Sequence, residues 1–394
     1  MFANLRPFWT DRLTQCWQAA PIAWLAGVRR VGKTTLARSL ADTTFVNCDL
    51  PESARRLHDP VPFLRSVQTP ILVLDEVHQL PDPSRLLKIA ADEFPTLRVL
   101  ATGSSTLAAT AKFRDALTGR KRVVRMQPVL ADELAQFGVR DLRKRLLHGG
   151  LPPTLLAERR DPEFYAEWLD SYFARDVQEL FRVERRGAYL RLAELLLRQS
   201  GGMADVASLA RAVELSRPTV MNYLEALAVT QVIHVVRPFH GGGRQELLHR
   251  PRIYGFDTGF VAFANGWNDL RDTDCGALWE HLTLESLLAW PGLPEPHFWR
   301  DKEQREVDFV LPHRDGSADA IECKWTSSAF SPKGLTAMRS VHPLGRNFVV
   351  ATDVDVPYAR DHGALQVHYV GLAGLGSALR TAPTAEPADG ASGN

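Results

Sequence analysis

The sequence has few cysteines, almost no excess charge and no long apolar run. Its 394 residues include only four cysteines, none of them in a Cys-x-x-Cys pair, at Cys16, Cys48, Cys275 and Cys323. This wide spacing argues against a zinc site or a disulfide framework and indicates a reducing compartment. The formal net charge is +1, so global basicity does not indicate nucleic-acid binding, and any basic surface has to be a local patch.

Targeting and membrane signals are also missing. No apolar run approaches the roughly 20 residues that cross a bilayer, and the first residues, MFANLRPFWTDRL, are charged and aromatic, unlike a signal peptide. We therefore expect a soluble cytoplasmic protein with no membrane contact. Hydrophobic residues make up 45% and charged residues 24%, which is a globular composition, and the length predicts more than one domain.

The stretch PIAWLAGVRRVGKTTLARSLA predicts a strand, a loop and a helix, because an apolar run precedes a Gly-x-x-x-x-Gly-Lys-Thr pattern. Glycines let backbone amides turn inward around phosphates. The Lys33 ammonium can reach the β- and γ-phosphates of ATP, and the Thr34 hydroxyl can coordinate Mg²⁺. The predicted nucleotide-binding residues are Gly27, Val28, Arg29, Arg30, Val31, Gly32, Lys33, Thr34 and Thr35.

Two acidic residues end a second apolar strand, in TPILVLDEVHQLP. We expect the Asp75 carboxylate to hold Mg²⁺ and Glu76 to orient or polarise the attacking water. The alternative is a surface edge strand that happens to end in two acids.

The middle of the chain predicts three helices and a strand, the order of a winged helix-turn-helix, with HGGGR as the hairpin tip. Ser216 is the predicted N-cap of the third helix, with Pro218 in its first turn. If this unit binds DNA, the third helix enters the major groove and the tip meets phosphate. The residues then exposed to DNA are Arg217, Thr219, Asn222, Tyr223 and Arg244. The alternative is a protein-contact module.

A strand hairpin is predicted in REVDFVLPHRDGSADAIECKW. Asp308 lies on its first strand, and Glu322 and Lys324, two residues apart, share one face of the second. Glu280, on the helix predicted in GALWEHLTLESLLAW, can reach the same place, with Glu285 as the less favoured choice.

This set resembles the PD-(D/E)xK nuclease core. The resemblance implies that Glu280, Asp308 and Glu322 bind Mg²⁺ and that Lys324 positions or activates water for phosphodiester attack. A catalytically silent binding module and a surface ladder of charges across two strands are the alternatives.

As a whole the chain resembles the bacterial and archaeal AAA-type ATPases whose C-terminal half is a domain of unknown function. The motifs that carry the resemblance run in that family's order from about residue 15 to 355: GVRRVGKTTL, ILVLDEVHQLP, ATGSS, LTGR…RMQPVLADE, RIYGFDTGF, GALWEHLTLESL and REVDFVL…AIECKW.

The resemblance to the AAA+ class implies two further site residues and an assembly. A polar sensor follows the strand in LRVLATGSST, for which Ser104 is the choice and Ser105 the alternative; a plain Gly-Ser turn is the other interpretation. Arg120 is the choice for the arginine that reaches the ATP of a neighbouring subunit. The alternatives are Arg122, Arg125, Arg175 and an ordinary solvated basic stretch. The class also implies a ring-like homo-oligomer, often of six subunits.

We therefore expect a multidomain α/β chain. The predicted domains are a AAA+ P-loop NTPase core with a parallel sheet (1–140), a helical lid (141–188), a winged helix-turn-helix (189–250), a restriction-endonuclease-like α/β domain (251–375) and a disordered tail (376–394).

The predicted function is ATP hydrolysis coupled to binding and to remodelling of, or translocation on, duplex or branched DNA, which the C-terminal domain grips or cleaves. Two alternatives stay open: a nucleotide-controlled regulatory switch whose nuclease-like domain is silent, and an ATPase that acts on a protein partner.

Overall fold

The computed structural model describes residues 6–103, 117–181, 183–241 and 250–381. Its N-terminal part is a parallel sheet flanked by helices. The strands are β1 (Ile22–Ala26), β2 (Thr43–Asn47), β3 (Ile71–Asp75), β4 (Arg98–Thr102) and β5 (Lys121–Arg125). The helices are α1 (Pro7–Ala19), α2 (Lys33–Ser39), α3 (Pro51–Arg56), α4 (Pro60–Ser66) and α5 (Pro83–Glu93). This arrangement confirms the predicted α/β core.

The strand order of this sheet, β2-β3-β4-β1-β5, places β4 between β1 and β3. All four pairings are parallel, so the carboxyl ends of the strands meet at one edge. The three central strands are short apolar runs, almost wholly buried, as expected for a parallel sheet covered on both faces. The loop after β1, the acids that end β3 and the end of β4 therefore come together.

A run of short helices follows the first sheet. They are α6 (Leu142–His148), α7 (Pro152–Leu156), α8 (Pro162–Tyr172) and α9 (Gln178–Phe181), with a π-helical turn, Phe173–Val177, between α8 and α9. Aromatic side chains fix α8 in place: Trp168 stacks on Tyr172 and on Phe256, with ring centroids 5.5 and 4.8 Å apart. The helices predicted for this region are present, and they pack against the C-terminal half as well as the first sheet.

The next region contains the three predicted helices and the strand. Its elements are α10 (Arg186–Arg198), β6 (Gly202–Met203), α11 (Val206–Ala212), α12 (Arg217–Val229), β7 (Ile233–Pro238) and β8 (Arg252–Gly255). Helix α12 begins as predicted, since the Ser216 hydroxyl accepts the backbone N–H of Thr219 at 3.2 Å and Pro218 lies in the first turn.

The C-terminal elements are α13 (Thr258–Ala264), α14 (Asp272–Ala289), β9 (His297–Arg300), β10 (Glu306–Pro312), β11 (Ala318–Lys324), α15 (Lys333–Val341), β12 (Asn347–Ala351), β13 (Tyr358–His362), β14 (Leu365–Val370) and α16 (Leu372–Arg380). Among the described residues they join the preceding strands in one sheet with the order β13-β14-β12-β11-β10-β9-β7-β8-β6. The predicted hairpin is present, with β10 antiparallel to β11 and Phe309 opposite Ile321.

Two predicted domain boundaries differ from the structure. The boundary at 250/251 cuts one sheet, because β7 pairs with β9 in parallel and with β8 antiparallel. The boundary at 375/376 falls inside α16, whose Leu375 and Leu379 are buried, so ordered structure continues to the end of that helix. Residues 382–394 of the predicted disordered tail lie outside the described part of the chain. None of the helices in that described part combines the length and the apolar character that a bilayer crossing requires.

Candidate functional site

The loop between β1 and α2 has the backbone conformation that a phosphate-binding loop needs. Gly27 and Gly32 have φ of 153° and 106°, in the region that glycine alone adopts without strain. A Cβ on Gly27 would lie 2.7 Å from the carbonyl oxygen of Met126, so no larger residue fits there. Lys33 opens α2 and is buried, and its Nζ donates to the carbonyls of Gly27 at 2.8 Å and Val28 at 3.1 Å. Burial lowers the pKa of this ammonium.

The acids at the end of β3 are held by two threonines. The Thr34 hydroxyl lies 3.0 Å from Oδ2 of Asp75, and the Thr102 hydroxyl donates to Oδ1 of Asp75 at 2.5 Å. Thr102 also accepts the backbone N–H of Glu76 at 3.0 Å, so this fully buried residue orients both acids. Thr102 is not among the predicted site residues. Its sequence signal is a polar residue at the end of an apolar strand, two residues before the predicted sensor Ser104.

Glu76 has the unusual left-handed backbone conformation, with φ of 55°. A non-glycine residue in this region stores strain that a functional site often uses. Its carboxylate lies 3.4 Å from Nδ1 of His78, and its side chain faces the same cavity as Lys33 and Thr34. Glu76 therefore lines the cavity beside the phosphate-binding loop, and its action on the attacking water stays a prediction.

The cavity beside the loop has a volume of about 880 Å³, within the range of small-molecule sites. Part of its wall comes from the helices after the first sheet, including Trp168 and Arg175. The Trp168 indole donates to the Arg29 carbonyl at 3.1 Å, and the Arg29 guanidinium bonds Asp176 at 2.7 Å. The π-helical turn thus holds the phosphate loop and presents Arg175 to the cavity, a placement that local sequence pattern did not predict.

In the described part of the chain, the other predicted arginines do not line the cavity beside the phosphate loop. Arg120 is partly exposed and bonds the Asp92 carboxylate at 2.5 and 3.0 Å. Its carbonyl accepts the N–H of Ile22 at the start of β1, so it lies at the edge of the sheet opposite the phosphate loop of its own chain. Action on a neighbouring subunit stays a prediction. Arg122 and Arg125 are exposed on β5. Ser104 and Ser105 lie outside the described residues.

The four predicted residues of the C-terminal site converge. Lys324 Nζ lies 2.6 Å from Oε2 of Glu322 and 3.4 Å from Oδ2 of Asp308, across the β10–β11 hairpin. Asp308 Oδ2 also accepts the N–H of Cys323 at 2.8 Å. Glu280 approaches from α14. Glu285, the less favoured choice, instead binds Arg145, 2.5 Å away in the protein core.

Arg252 and Tyr254 of β8 complete this cluster, and neither was predicted. The Arg252 guanidinium lies 3.3 Å from Oε1 of Glu280, 4.0 Å from Oδ1 of Asp308 and 2.5 Å from Oε2 of Glu306. The Tyr254 hydroxyl donates to Glu280. Both lie in the motif RIYGFDTGF, but that motif does not indicate this contact, because β8 reaches the site by pairing with β7.

The electrostatics of the cluster follow from burial and crowding. Burial and then repulsion from Asp308 raise the pKa of Glu280 to about 7 and that of Glu322 to about 8. For Lys324, burial lowers the pKa, but the charges of Asp308 and Glu322 outweigh it and raise the pKa above its ordinary value. The lysine is therefore a fixed cation.

The cluster does not fit the predicted Mg²⁺ site. Over residues 6–103, 117–181, 183–241 and 250–381, no three Asp, Glu, His or Cys side chains form a ligand set for a metal ion. Each of the predicted ligands Glu280, Asp308 and Glu322 turns at least one oxygen to Arg252 or Lys324 instead. At the nucleotide site, Thr34 and Asp75 lie side by side, as a Mg²⁺ shared with nucleotide phosphates requires.

The predicted DNA-contact residues separate into three groups. Arg217 and Asn222 are exposed on α12, and Thr219 is half-buried with its hydroxyl 2.7 Å from that of Ser216. The predicted exposure of Tyr223 is wrong: its ring packs on Tyr189, with centroids 5.1 Å apart, because Tyr223 follows Val220 on the inner face of α12. Arg244 lies outside the described residues.

Comparison with known proteins divides the chain into three matched regions. Residues 19–135 match the model of an AAA domain, residues 139–271 match a domain of unknown function, DUF8612, and residues 275–370 match another, DUF4143. The chain is 31% identical over 349 residues to the uncharacterized proteins Rv2008c of Mycobacterium tuberculosis and Mb2031c of Mycobacterium bovis, covering 84% of this chain and 75% of each relative.

Similarity to solved structures is weaker. The Walker-type ATPase PABY2304 of Pyrococcus abyssi is 16% identical, with a TM-score of 0.41, over 65% of this chain and 94% of that one. AMPPCP-bound DnaA from Aquifex aeolicus is 13% identical, with a TM-score of 0.29, over 56% and 85%. Neither score is high enough to support an argument about function. The chain belongs to the family of the two mycobacterial proteins and, with its AAA domain and phosphate-binding loop, is a P-loop ATPase of the AAA+ type.

Proposed function

We propose that this ATPase binds DNA through its C-terminal half and uses ATP hydrolysis, with Mg²⁺, to remodel the DNA or to move along it as a ring-like homo-oligomer in the cytoplasm. The observation that carries the proposal is a basic groove that adjoins the carboxylate–lysine cluster. The four free and buried cysteines are compatible with that reducing compartment.

The groove lies beside β7, β9 and the end of α15 and has a volume of about 790 Å³. Arg250, Arg300 and Lys302 line it together with one acid, Asp301, and Trp299 contributes an aromatic wall. Arg250 also pairs with Asp205 at 3.2 Å. Arg300 of the groove and Arg252 of the cluster both approach Glu306, at 3.8 and 2.5 Å, so this carboxylate connects the two. Guanidinium and ammonium groups in a groove suit a phosphate backbone.

The order α14-β9-β10-β11-α15-β12 supports the same proposal. A helix, three strands, a helix and a parallel strand, with the acids on the middle strands and the first helix, resemble the PD-(D/E)xK core expected from the sequence. The exposed Arg217 and Asn222 of α12 provide a second candidate contact surface for DNA.

Contacts between the nucleotide loop and β8 supply a physical route for coupling. Trp168 bonds the Arg29 carbonyl and stacks on Phe256, which directly follows β8. A change in the loop on hydrolysis would shift Trp168 and, through its stacking on Phe256, the strand that carries Arg252. Thr34 and Asp75 would hold the Mg²⁺, which neutralises phosphate charge when bound.

DNA binding is tested by fluorescence anisotropy with duplex and branched DNA between about 50 and 200 mM salt. We expect wild type to bind with strong salt dependence. We expect the Arg300→Ala/Lys302→Ala variant to bind more weakly on every sequence, with a log–log salt slope reduced by about 1 per lost phosphate contact.

Lys88→Ala, an exposed charge change on α5, is the matched control and should bind as wild type does. Equal affinity of the groove variant and the control would contradict the proposed groove. Slow ATP turnover that does not change when DNA is added would favour the regulatory switch. Stimulation of turnover by a protein partner would favour an ATPase that acts on proteins.

The role of Glu76 is tested by the Glu76→Gln variant. We expect ATP affinity near that of wild type and turnover reduced at least about 100-fold, because the amide cannot polarise water as the carboxylate does. Phosphate release and calorimetric ATP titration measure the two quantities, with Glu52→Gln on the exposed face of α3 as the control. Turnover near the wild-type rate would remove Glu76 from the reaction.

A further inference from the structure

Both carboxylate oxygens of Asp308 face a cation supplied by the protein. Oδ2 lies 3.4 Å from Lys324 Nζ, and Oδ1 lies 4.0 Å from Nη1 of Arg252. The same Nη1 lies 3.3 Å from Glu280, so the guanidinium sits between the carboxylates of α14 and β10. A divalent ion placed between Oε1 of Glu280 and Oδ1 of Asp308 would compete with the guanidinium for this position.

Arg252 is anchored so that it cannot easily leave. It is only 6% exposed, and its backbone lies in the sheet between Val236 and Met203. Its guanidinium covers the Phe298 ring at 4.9 Å and bonds Glu306 at 2.5 Å. Arginine keeps its charge at every pH at which the protein is folded, so the guanidinium cannot yield its place by losing a proton.

Other donors of the cluster also engage these carboxylates. Tyr254 donates to Glu280, the N–H of Cys323 donates to Asp308, and Lys324 binds Glu322. A metal ion would need to displace these donors and would meet two neighbouring positive charges. The arrangement is that of a buried ion-pair network in which two cations, Arg252 and Lys324, face the carboxylates of Glu280, Asp308 and Glu322.

We propose that Arg252 is a built-in cation that takes the place of a divalent metal between Glu280 and Asp308, so that the C-terminal site binds neither Mg²⁺ nor Mn²⁺. Where the proposed function holds, the nuclease-like domain then grips DNA without cutting it. The statement about metal stands independently of DNA.

Mn²⁺ titration of the full-length protein, followed by electron paramagnetic resonance without nucleotide, tests the proposal. All variants carry Asp75→Asn, which removes the carboxylate of the nucleotide site. In this background, adding Asp308→Asn should leave the number of bound Mn²⁺ ions unchanged. We expect Arg252→Met, which keeps an apolar stem beside Phe298, to gain one Mn²⁺ site at least tenfold tighter than any residual binding.

Two further variants make the result specific. Arg252→Lys keeps a cation on β8 and should gain no site, whereas Arg252→Met with Asp308→Asn should lose the site that Arg252→Met gained. Absence of that gain in folded Arg252→Met protein would overturn the proposal. So would one Mn²⁺ bound by the background protein and lost on Asp308→Asn, a result that holds even where Arg252→Met does not fold. Because no DNA is present, failure of DNA binding leaves these outcomes unchanged.

Discussion

The Lys33→Ala variant is expected to lose at least about 100-fold in ATP turnover, the scale of removing one positioned donor from a transition state. Lys33 is the cation that the phosphate loop encloses. Its Nζ lies 2.8 Å from the Gly27 carbonyl, and the residue is only 6% exposed. Burial lowers the pKa of this group, and a phosphate anion beside it would favour the charged ammonium.

Phosphate release and calorimetric titration with ATP and Mg²⁺ measure turnover and affinity. The control is Lys88→Ala, which removes the same charge from the exposed face of α5 and should leave both unchanged. Normal turnover in the Lys33→Ala protein would mean that the nucleotide is held elsewhere.

The Arg145→Ala variant is expected to lose about 3–5 kcal/mol of the free energy of unfolding, the usual effect of stranding one member of a buried ion pair. Arg145 is fully buried and joins three parts of the fold. Its guanidinium bonds the Val129 carbonyl at 2.7 Å, the Thr258 hydroxyl at 2.9 Å and the Glu285 carboxylate at 2.5 Å. Without it, the fully buried Glu285 carboxyl loses its arginine partner.

Urea unfolding measures the loss, and Arg143→Ala is the matched control. Arg143 lies two residues earlier on α6. It pairs with Asp272 at the exposed surface, bonds the Leu270 carbonyl at 2.9 Å and lies over the Trp325 ring, so its removal should cost only a small part of the loss at Arg145. The double variant Arg145→Met/Glu285→Leu should recover much of the stability, because no buried charge remains. Equal stability of Arg145→Ala and Arg143→Ala would show that this ion pair does not hold the two halves together.

The nucleotide site was predictable because its geometry is local. The conformations of Gly27 and Gly32, the position of Lys33 at the first turn of α2 and the acid after β3 all depend on neighbouring residues in the chain. Thr102 escaped prediction because its partner Asp75 lies 27 residues away, on a strand that becomes its neighbour only when the sheet forms.

Helix periodicity could not choose between Glu280 and Glu285. The two lie on different sides of α14, and each finds its arginine on a separate element: Arg252 on β8 for the first and Arg145 on α6 for the second. Tyr223 was misjudged for a related reason, since its amphipathic side chain suits both a DNA-facing surface and the core against Tyr189.

The sequence alone determined the P-loop, the acid pair, the helix cap at Ser216 and the hairpin that brings Asp308 to Lys324. Each is set by backbone preference or side-chain spacing within one short segment. Only the tertiary structure decided which cation faces Asp308 and Glu280, because β8 is brought there by strand pairing with β7 and no local pattern records that contact. The local sequence of a carboxylate cluster is the same whether a metal ion or an arginine faces it. The packing of distant strands determines which cation is present.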